Sequence, residues 1–414
     1  MFQPDAATTT TFAPDPRNAP AAATMDAATD RVPTAYVMDE ATDAALRGGL
    51  SEFLGSLQIR RGGIRAAVKA MEQQISPRVL IVDVSGVMDP VAELDALAFV
   101  CAPDTKVLVI GERTDLDFYR EVTRQLGVDE YMAKPLTRDS ASTLIGPYVA
   151  GAAPDRASTR GGRIVAVCGA RGGVGATTVA VNLALQVADS THGHVALLDL
   201  HLRGGQAAIM LGARPGAGLR NALERPEDAD ALLFERVAIP LGDRVRVFAA
   251  DEGFETDPAP TAAGIAHCLA LLRQRFNVIV VDMPMPPSPA ERQALALARH
   301  ALVVMGPDVG SLHNAELMRR MITSLIGGGR TLTVLNRFDA PGALKTDLVT
   351  EGLGATPEFL LPDLPKPLCQ AANLGRPALR ESPALQRALA PLTQEISGIA
   401  QRQKSGLLRR LLGQ

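Results

Sequence analysis

Cysteine is scarce in this sequence, with four residues among 414. Cys101, Cys168, Cys268 and Cys369 lie far apart, and no two of them have the short spacing that a zinc site or a redox motif needs. We interpret them as small apolar side chains in a protein of the reducing cytoplasm.

Long apolar runs and an excess of basic residues are also missing. No stretch approaches the roughly 20 consecutive apolar residues of a membrane-spanning helix, and the N-terminus lacks the basic-then-apolar order of a secretion signal. The 42 basic and 45 acidic residues give a net charge of −3, so we expect no broad surface for specific nucleic-acid binding. Any contact with a membrane is expected to be peripheral.

The chain does have enough apolar residues, 47%, to build the cores of two or three domains. Residues 1–33 are rich in Ala, Thr, Pro and Asp, which predicts disorder. Strand-like and helix-like stretches then alternate over residues 34–149 and again over 164–396, which predicts two doubly wound α/β domains. Residues 150–163 are rich in small residues and are predicted to form the linker.

Short β-branched and apolar runs mark the predicted strands of both domains. In the first domain the predicted strands are residues 35–38, 79–84, 106–110 and 130–132. In the second domain they are residues 164–168, 195–200, 245–249, 278–282, 301–305 and 331–335.

The most specific motif follows the first strand of the second domain and reads GARGGVGATT from residue 169 to residue 178. Backbone N–H groups of such glycines can converge on phosphate oxygens while the next helix points its N-terminus at the same anion. A dinucleotide fingerprint fits less well because Thr178 stands where its third glycine belongs, and a glycine turn without ligand is also open. The predicted phosphate-binding residues are Arg171, Gly172, Gly173, Val174, Gly175, Ala176, Thr177 and Thr178.

This loop closely resembles the KGGVGKTT loop of the ParA/MinD ATPases, which implies ATP and Mg²⁺ as cofactors. Arg171 stands where the family's first lysine reaches across a nucleotide-bridged homodimer, and a guanidinium can make forked contacts with phosphate. Ala176 replaces the lysine that holds the β- and γ-phosphates. Losing that charged hydrogen bond, worth ~1.5–3 kcal/mol, predicts weaker binding and weak or absent hydrolysis. Thr177 keeps the hydroxyl expected on Mg²⁺.

Three further segments resemble the family's nucleotide site. Asp199 matches the first aspartate of switch I. His201 replaces the second aspartate, which in the family positions the attacking water. Asp282 ends an apolar strand and matches the Walker-B carboxylate that holds the Mg²⁺ shell. Asn336, followed by Arg337, stands where the family has an asparagine that recognises the adenine base. Asp199 could instead cap a turn, and Asn336 could instead form one.

The first domain resembles the receiver domains of two-component signalling. Asp39 and Glu40 match the acidic pair, Asp83 the phosphorylatable aspartate, and Lys134 the lysine that precedes a proline. The resemblance implies Mg²⁺ held beside Asp83, with Lys134 on the phosphoryl oxygens. Gly111 stands where receivers place the Ser or Thr that reports phosphorylation. We therefore favour a pseudo-receiver used for dimerisation or docking over a phosphorylated switch.

A receiver-like domain fused to this type of ATPase resembles the CpaE/TadZ family of pilus-assembly proteins. The resemblance implies an ATP-binding localisation and scaffold protein of the tight-adherence (Flp) pilus secretion machinery, with the motor ATPase and membrane platform as partners. Two alternatives are an active ParA-like ATPase that moves DNA and a regulator controlled by phosphorylation of Asp83.

Residues 397–414 are predicted to form an amphipathic helix similar to the membrane-targeting helix of MinD. Helical spacing places Arg409 and Arg410 opposite an apolar face. Binding to an anionic membrane is expected to be weak for one copy and stronger for a homodimer. Docking of this helix on its own domain or on a partner is the alternative. The apolar face consists of Leu407, Leu408, Leu411 and Leu412.

Overall fold

The computed structural model describes residues 31–55, 57–102, 104–152, 162–191, 193–216 and 218–397. It contains two separate, largely parallel sheets flanked by helices, and it confirms the predicted fold class. The amphipathic segment after Ser397, residues 1–30 of the expected disordered region and residues 153–161 of the expected linker lie outside the described residues. None of the described helices is long and apolar enough to cross a bilayer.

The first sheet has five parallel strands in the order β2-β1-β3-β4-β5, which is the flavodoxin-like order of receiver folds. Its central strands are buried because helices cover both faces, so they are almost continuously apolar. The strands are β1 Thr34–Val37, β2 Gln58–Arg61, β3 Val79–Asp83, β4 Lys106–Gly111 and β5 Glu130–Ala133.

Side chains that accept hydrogen bonds cap several helices of this domain. Asp39 accepts from the Thr42 amide at the start of α1, and Asp89 accepts from the Ala92 amide at the start of α3. The helices are α1 Glu40–Gly49, α2 Gly63–Met71, α3 Pro90–Val100, α4 Leu116–Arg120, α5 Arg138–Ser140 and α6 Gly146–Val149, and wider helical turns at Glu121–Gln125 and Ala141–Ile145 continue α4 and α5.

The second sheet has eight strands in the order β13-β12-β11-β6-β10-β7-β9-β8. All neighbours are parallel except β8 and β9, which are antiparallel. The strands are β6 Arg163–Gly169, β7 Val195–Asp199, β8 Ile239–Leu241, β9 Val245–Phe248, β10 Val278–Met283, β11 His300–Met305, β12 Arg330–Asn336 and β13 Phe359–Leu361.

Helices cover both faces of this sheet, so two hydrophobic cores form, one on each side. The longest helices are α7 and α13, and α7 is largely buried against the sheet. The helices are α7 Ala176–Thr191, α8 Ala207–Met210, α9 Gly218–Glu224, α10 Ala231–Val237, α11 Ala262–Arg275, α12 Arg292–Ala296, α13 Val309–Leu325, α14 Thr346–Leu353, α15 Pro365–Asn373, α16 Ala378–Glu381 and α17 Pro383–Ser397.

Polar contacts join α3 of the first domain to the second domain. Asn277, just before β10, donates through Nδ2 to the carbonyls of Ala98 at 3.1 Å and Cys101 at 2.6 Å. Its Oδ1 accepts from the His194 amide at 2.8 Å. Because Asn277 is 8% exposed, loss of its amide would remove three hydrogen bonds made by a buried side chain.

We expect Asn277→Ala to lower the free energy of unfolding by about 1–3 kcal/mol, because it removes three hydrogen bonds at the contact between the domains. Urea unfolding followed by circular dichroism measures the loss. Asn221→Ala is the matched control, since Asn221 is exposed on α9. Equal stability of the two variants would show that Asn277 contributes nothing to the contact.

Candidate functional site

The predicted phosphate loop lies between β6 and α7, at the carboxyl end of the central strand. Gly173 and Gly175 have φ angles of 81° and 90°, a region that glycine enters without strain. A Cβ atom at Gly175 would come within 2.6 Å of Nδ2 of Asn336. The sequence thus adopts the tight loop that a phosphate cradle needs, with the N-terminus of the 16-residue α7 behind it.

Asn336 holds this loop in place. Its Nδ2 donates to the Val174 carbonyl at 2.8 Å, and its Oδ1 accepts from the Arg337 amide at 3.1 Å. Arg337 has a φ of 56° and is exposed. The Asn336 side chain therefore contacts the phosphate loop and the following turn, while its expected role in reading adenine stays a prediction.

Arg171 is held within its own chain. Its Nε donates to Oγ of Ser311 at 3.1 Å, and one terminal nitrogen lies 3.1 Å from Oδ2 of Asp308. Asp308 also caps α13 by accepting from the Ser311 amide at 3.0 Å. Burial raises the pKa of Asp308, but these hydrogen bonds and the charge of Arg171 outweigh burial and lower it. Sequence reasoning missed Asp308 and Ser311, although an Asp three residues before a Ser at a helix start was a visible capping signal.

Asp199 ends β7, Asp282 is the last residue but one of the neighbouring parallel strand β10, and the two are paired in register. Both are fully buried. Asp199 Oδ1 accepts from the His201 amide at 2.9 Å and lies 3.0 Å from Nδ1 of the same residue, and its Oδ2 accepts from the Ala207 amide at 3.3 Å. His201 Nδ1 also lies 3.5 Å from Oδ2 of Asp282. The predicted residues are therefore brought together.

Asp282 is the member of this pair whose carboxylate lacks hydrogen bonds within the described residues. Neither of its buried carboxylate oxygens accepts a hydrogen bond of normal geometry within the described residues, although the nearby Thr177 hydroxyl acts to lower its pKa. Burial and the charge of Asp199 outweigh that effect and raise the pKa of Asp282. Two buried carboxylates side by side need a positive group between them.

A divalent cation fits this arrangement. Asp199, His201 and Asp282 each offer a ligand atom, and these atoms lie within 4.8 Å of one another. Carboxylate and hydroxyl oxygens are the ligands that Mg²⁺ prefers. Asp282 and Thr177 are the residues expected to hold Mg²⁺, and the orphaned oxygens of Asp282 are consistent with that role.

The imidazole of His201 is drawn toward its charged form. Burial lowers its pKa, but the hydrogen bond to Asp199 and the charges of Asp282 and Asp199 outweigh burial, so the net shift is upward. A protonated His201 partly neutralises the carboxylate pair without metal. The same position supplies no negative charge for orienting an attacking water.

The remaining loop positions add no cation. Ala176 begins α7 without a charged side chain, and Gly172 is open to solvent. Thr178 accepts a hydrogen bond through its carbonyl from Nδ2 of Asn182 at 2.8 Å. Arg171 is therefore the one cation among loop residues 169–178, and Asp308 and Ser311 hold it.

The first domain brings Asp39, Asp83 and Lys134 together, as predicted, but not Glu40. Lys134 Nζ donates to Asp39 and, at 2.7 Å, to Oδ2 of Asp83. The hydrogen bond from Lys134 contributes most to lowering the pKa of Asp39 to about 2. Glu40 is exposed and makes no hydrogen bond or ion pair with the other three within the described residues. The acidic pair of receivers is thus reduced to one carboxylate.

Asp83 is buried and its oxygens are satisfied. Oδ1 accepts from the Ser85 amide at 3.0 Å and from the Ser85 hydroxyl at 2.6 Å, and Oδ2 accepts from the Met38 amide at 3.0 Å as well as from Lys134. At Gly111, a Cβ atom would come within 2.7 Å of the Tyr131 hydroxyl. A Ser or Thr at this position would need Tyr131 to move, which favours the pseudo-receiver interpretation.

The second domain matches known protein families. The ParA family model, described as "NUBPL iron-transfer P-loop NTPase", matches residues 161–232, which include the loop, Asp199 and His201. The septum site-determining protein MinD of Helicobacter pylori is 25% identical over 247 residues, covering 57% of this chain and 90% of MinD. The second domain is similar to P-loop NTPases of the ParA/MinD type.

Other known proteins match parts of this chain. The antiactivator FleN of Pseudomonas aeruginosa is 28% identical over 181 residues, 43% of this chain, and the chain spans only 63% of the length of FleN. The crystal structure of a ParA family ATPase from Chlorobium tepidum TLS has a TM-score of 0.52 at 17% identity, covering 56% of this chain and 98% of that one. A pilus assembly protein CpaE structure from Caulobacter crescentus CB15 is 32% identical, covering 27% of this chain and 94% of that one, with a TM-score of 0.26.

We expect Mg²⁺, added with ADP, to raise the melting temperature of the wild-type protein but not that of Asp282→Asn. Without metal the variant should be more stable by about 1 kcal/mol or more, because it removes one of two adjacent buried charges. Thermal unfolding with and without EDTA measures both effects. Asp243→Asn, at an exposed turn, is the control. An equal response of Asp282→Asn and wild type to Mg²⁺ would contradict a metal role for Asp282.

Acetyl phosphate with Mg²⁺ should not phosphorylate the first domain, because Asp83 is buried and engaged by four donors of its own chain. Intact-mass measurement, with an active receiver protein treated in parallel, detects any added phosphoryl group. A mass gain in the wild-type protein that Asp83→Asn abolishes would show instead that Asp83 is a phosphoacceptor.

Proposed function

We propose that this protein is an ATP-binding homodimer that serves as a localisation scaffold and hydrolyses ATP slowly or not at all. The observation that carries the proposal is the buried pair Asp199 and Asp282 beside a phosphate loop whose glycine backbone is already shaped as a cradle. Loop amides and the N-terminus of α7 would hold the phosphates, and Thr177 and Asp282 would hold Mg²⁺, which supplies positive charge at the phosphate oxygens.

Slow turnover follows from the chemistry at two positions. Ala176 offers no ammonium group to the β- and γ-phosphates, so less charge is stabilised as the terminal phosphate departs. His201 bonds to Asp199 through Nδ1 and is drawn toward the protonated form, so it is a poor base for orienting water. Binding of ATP through backbone amides needs neither an ammonium group at position 176 nor a base at position 201.

Dimerisation is the step that Arg171 would serve. Its guanidinium is half exposed and is held by Asp308 and Ser311 at one edge of the phosphate loop. A phosphate from a partner subunit would compete with Asp308 for the same forked donors. ATP binding and association of two copies would thereby be linked.

The cellular role we propose is placement of a tight-adherence pilus secretion machine. This part rests on the resemblance of the combined receiver-like and ParA/MinD-type domains to the CpaE/TadZ family. In the native host, a fluorescent fusion should form a polar focus together with the pilus motor ATPase. Normal pili and an unchanged motor focus after deletion of the gene would contradict this role.

The biochemical proposal is tested by measuring ATP binding, ATP turnover and dimerisation in the same samples. We expect binding and dimer formation with little phosphate release. Rapid turnover that DNA stimulates would instead support a partitioning ATPase, and the absence of any nucleotide binding would leave only an interaction scaffold.

Ala176→Lys should tighten ATP binding about tenfold or more, because it restores a charged hydrogen bond to phosphate worth ~1.5–3 kcal/mol. Calorimetric titration with ATP and Mg²⁺ measures the change. Ala263→Lys adds the same charge at an exposed position of α11 and is the matched control. If both lysine variants bind ATP as the wild type does, residue 176 does not face the phosphates.

A further inference from the structure

A cavity of about 340 Å³ lies between the two domains. Helix α3 of the receiver-like domain borders it on one side. On the other side are residues at the amino ends of the central strands of the second sheet, among them Gly162, Asn277 and Arg299. The cavity is therefore at the edge of the sheet opposite the phosphate loop. Its volume is in the range of small-molecule sites.

Three arginines border this interdomain cavity, and only one of them is neutralised. Arg163 forms an ion pair with Asp95 and packs over the Phe99 ring at 4.0 Å. Arg273 Nε donates to the Gly162 carbonyl at 3.1 Å, and Arg299 is exposed. Neither Arg273 nor Arg299 has a carboxylate partner among the described residues. Two unneutralised guanidinium groups at one concave surface favour a bound anion.

The lowered pKa values of Arg163 and His300 are consistent with a positive potential at this place. Burial, followed by the charge of Arg299, lowers the pKa of Arg163 to about 10 against the opposing effect of Asp95. His300, at the start of β11, is 5% exposed, and its Nδ1 has no hydrogen-bond partner in the described part of the chain. Burial and the charges of Arg299, Arg163 and Arg330 lower its pKa to about 4.

The described part of the chain supplies no carboxylate within ion-pair distance of Arg273 or Arg299. Asp95 already engages Arg163. An external anion is the simplest group that could neutralise Arg273 and Arg299.

We propose that the interdomain cavity binds a small phosphorylated anion, whose phosphate oxygens accept hydrogen bonds from Arg273 and Arg299. The guanidinium fork matches phosphate geometry, and the rest of the ligand would lie toward the glycine turn at residues 327–329. Because α3 and the second sheet both border the cavity, the bound ligand would tie the two domains together.

Calorimetric titration of the full chain with inorganic pyrophosphate tests the proposal, and variants of the two arginines distinguish binding in the cavity from binding at the phosphate loop. Combined Arg273→Gln and Arg299→Gln should weaken the binding about tenfold or more, since charge-assisted hydrogen bonds are lost. Arg275→Gln is the matched control, because Arg275 lies on the same helix but pairs with Glu235 and does not border the cavity. It should bind pyrophosphate as the wild type does.

The single variant Arg299→Gln guards against a folding defect, since Arg299 is exposed, and it should also lower the affinity. Vesicles containing phosphatidylglycerol test a lipid headgroup as the source of the phosphate. Co-sedimentation that needs both arginines supports that source, and pyrophosphate binding that needs them supports a soluble ligand. No binding of either probe, or binding that the double variant leaves unchanged, overturns the proposal. The outcome does not depend on whether ATP occupies the phosphate loop.

Discussion

The buried carboxylate pair of Asp199 and Asp282 is the constraint on which the site depends. Parallel pairing of β7 and β10 in register brings the two residues side by side, and the apolar strands beneath them exclude water. Adjacent buried charges of one sign oppose folding unless a cation or a proton compensates them. His201 and a divalent cation are the two compensating groups that this edge of the sheet can accept, and both act at the carboxyl ends where ligands of doubly wound folds bind.

Two buried aspartates in this chain show that burial alone does not mark a reactive carboxylate. Asp83 and Asp282 are equally buried and end comparable apolar strands. The oxygens of Asp83 accept four hydrogen bonds from the chain itself, so the folded protein already stabilises its charge. Those of Asp282 accept none of normal geometry within the described residues. Asp83 is therefore suited to anchor the first domain, and Asp282 is suited to a ligand.

The sequence predicted the features that come from local pattern. The glycine loop, the apolar strands and the aspartates at their ends were all readable, because burial on both faces imposes continuous β-branched runs. The edge strands β2, β8 and β13 were missed. Strand β2 reads QIRR and is largely exposed, and β8 and β13 have three residues each. Such strands form because a neighbouring strand offers hydrogen bonds, and a single sequence does not display that neighbour.

Contacts between residues far apart in the sequence could not be predicted either. The bonds of Arg171 to Asp308 and of Asn336 to Val174 join residues more than 130 positions apart, and only the folded sheet brings them together. The contacts of Asn277 and Arg163 with α3 have the same origin. These interdomain residues lie at the amino ends of the strands, whereas the nucleotide-type site lies at the carboxyl ends. Because the described part of the receiver-like domain contacts the amino ends, it does not cover the phosphate loop or Arg171, as the proposed ATP-bridged dimer requires.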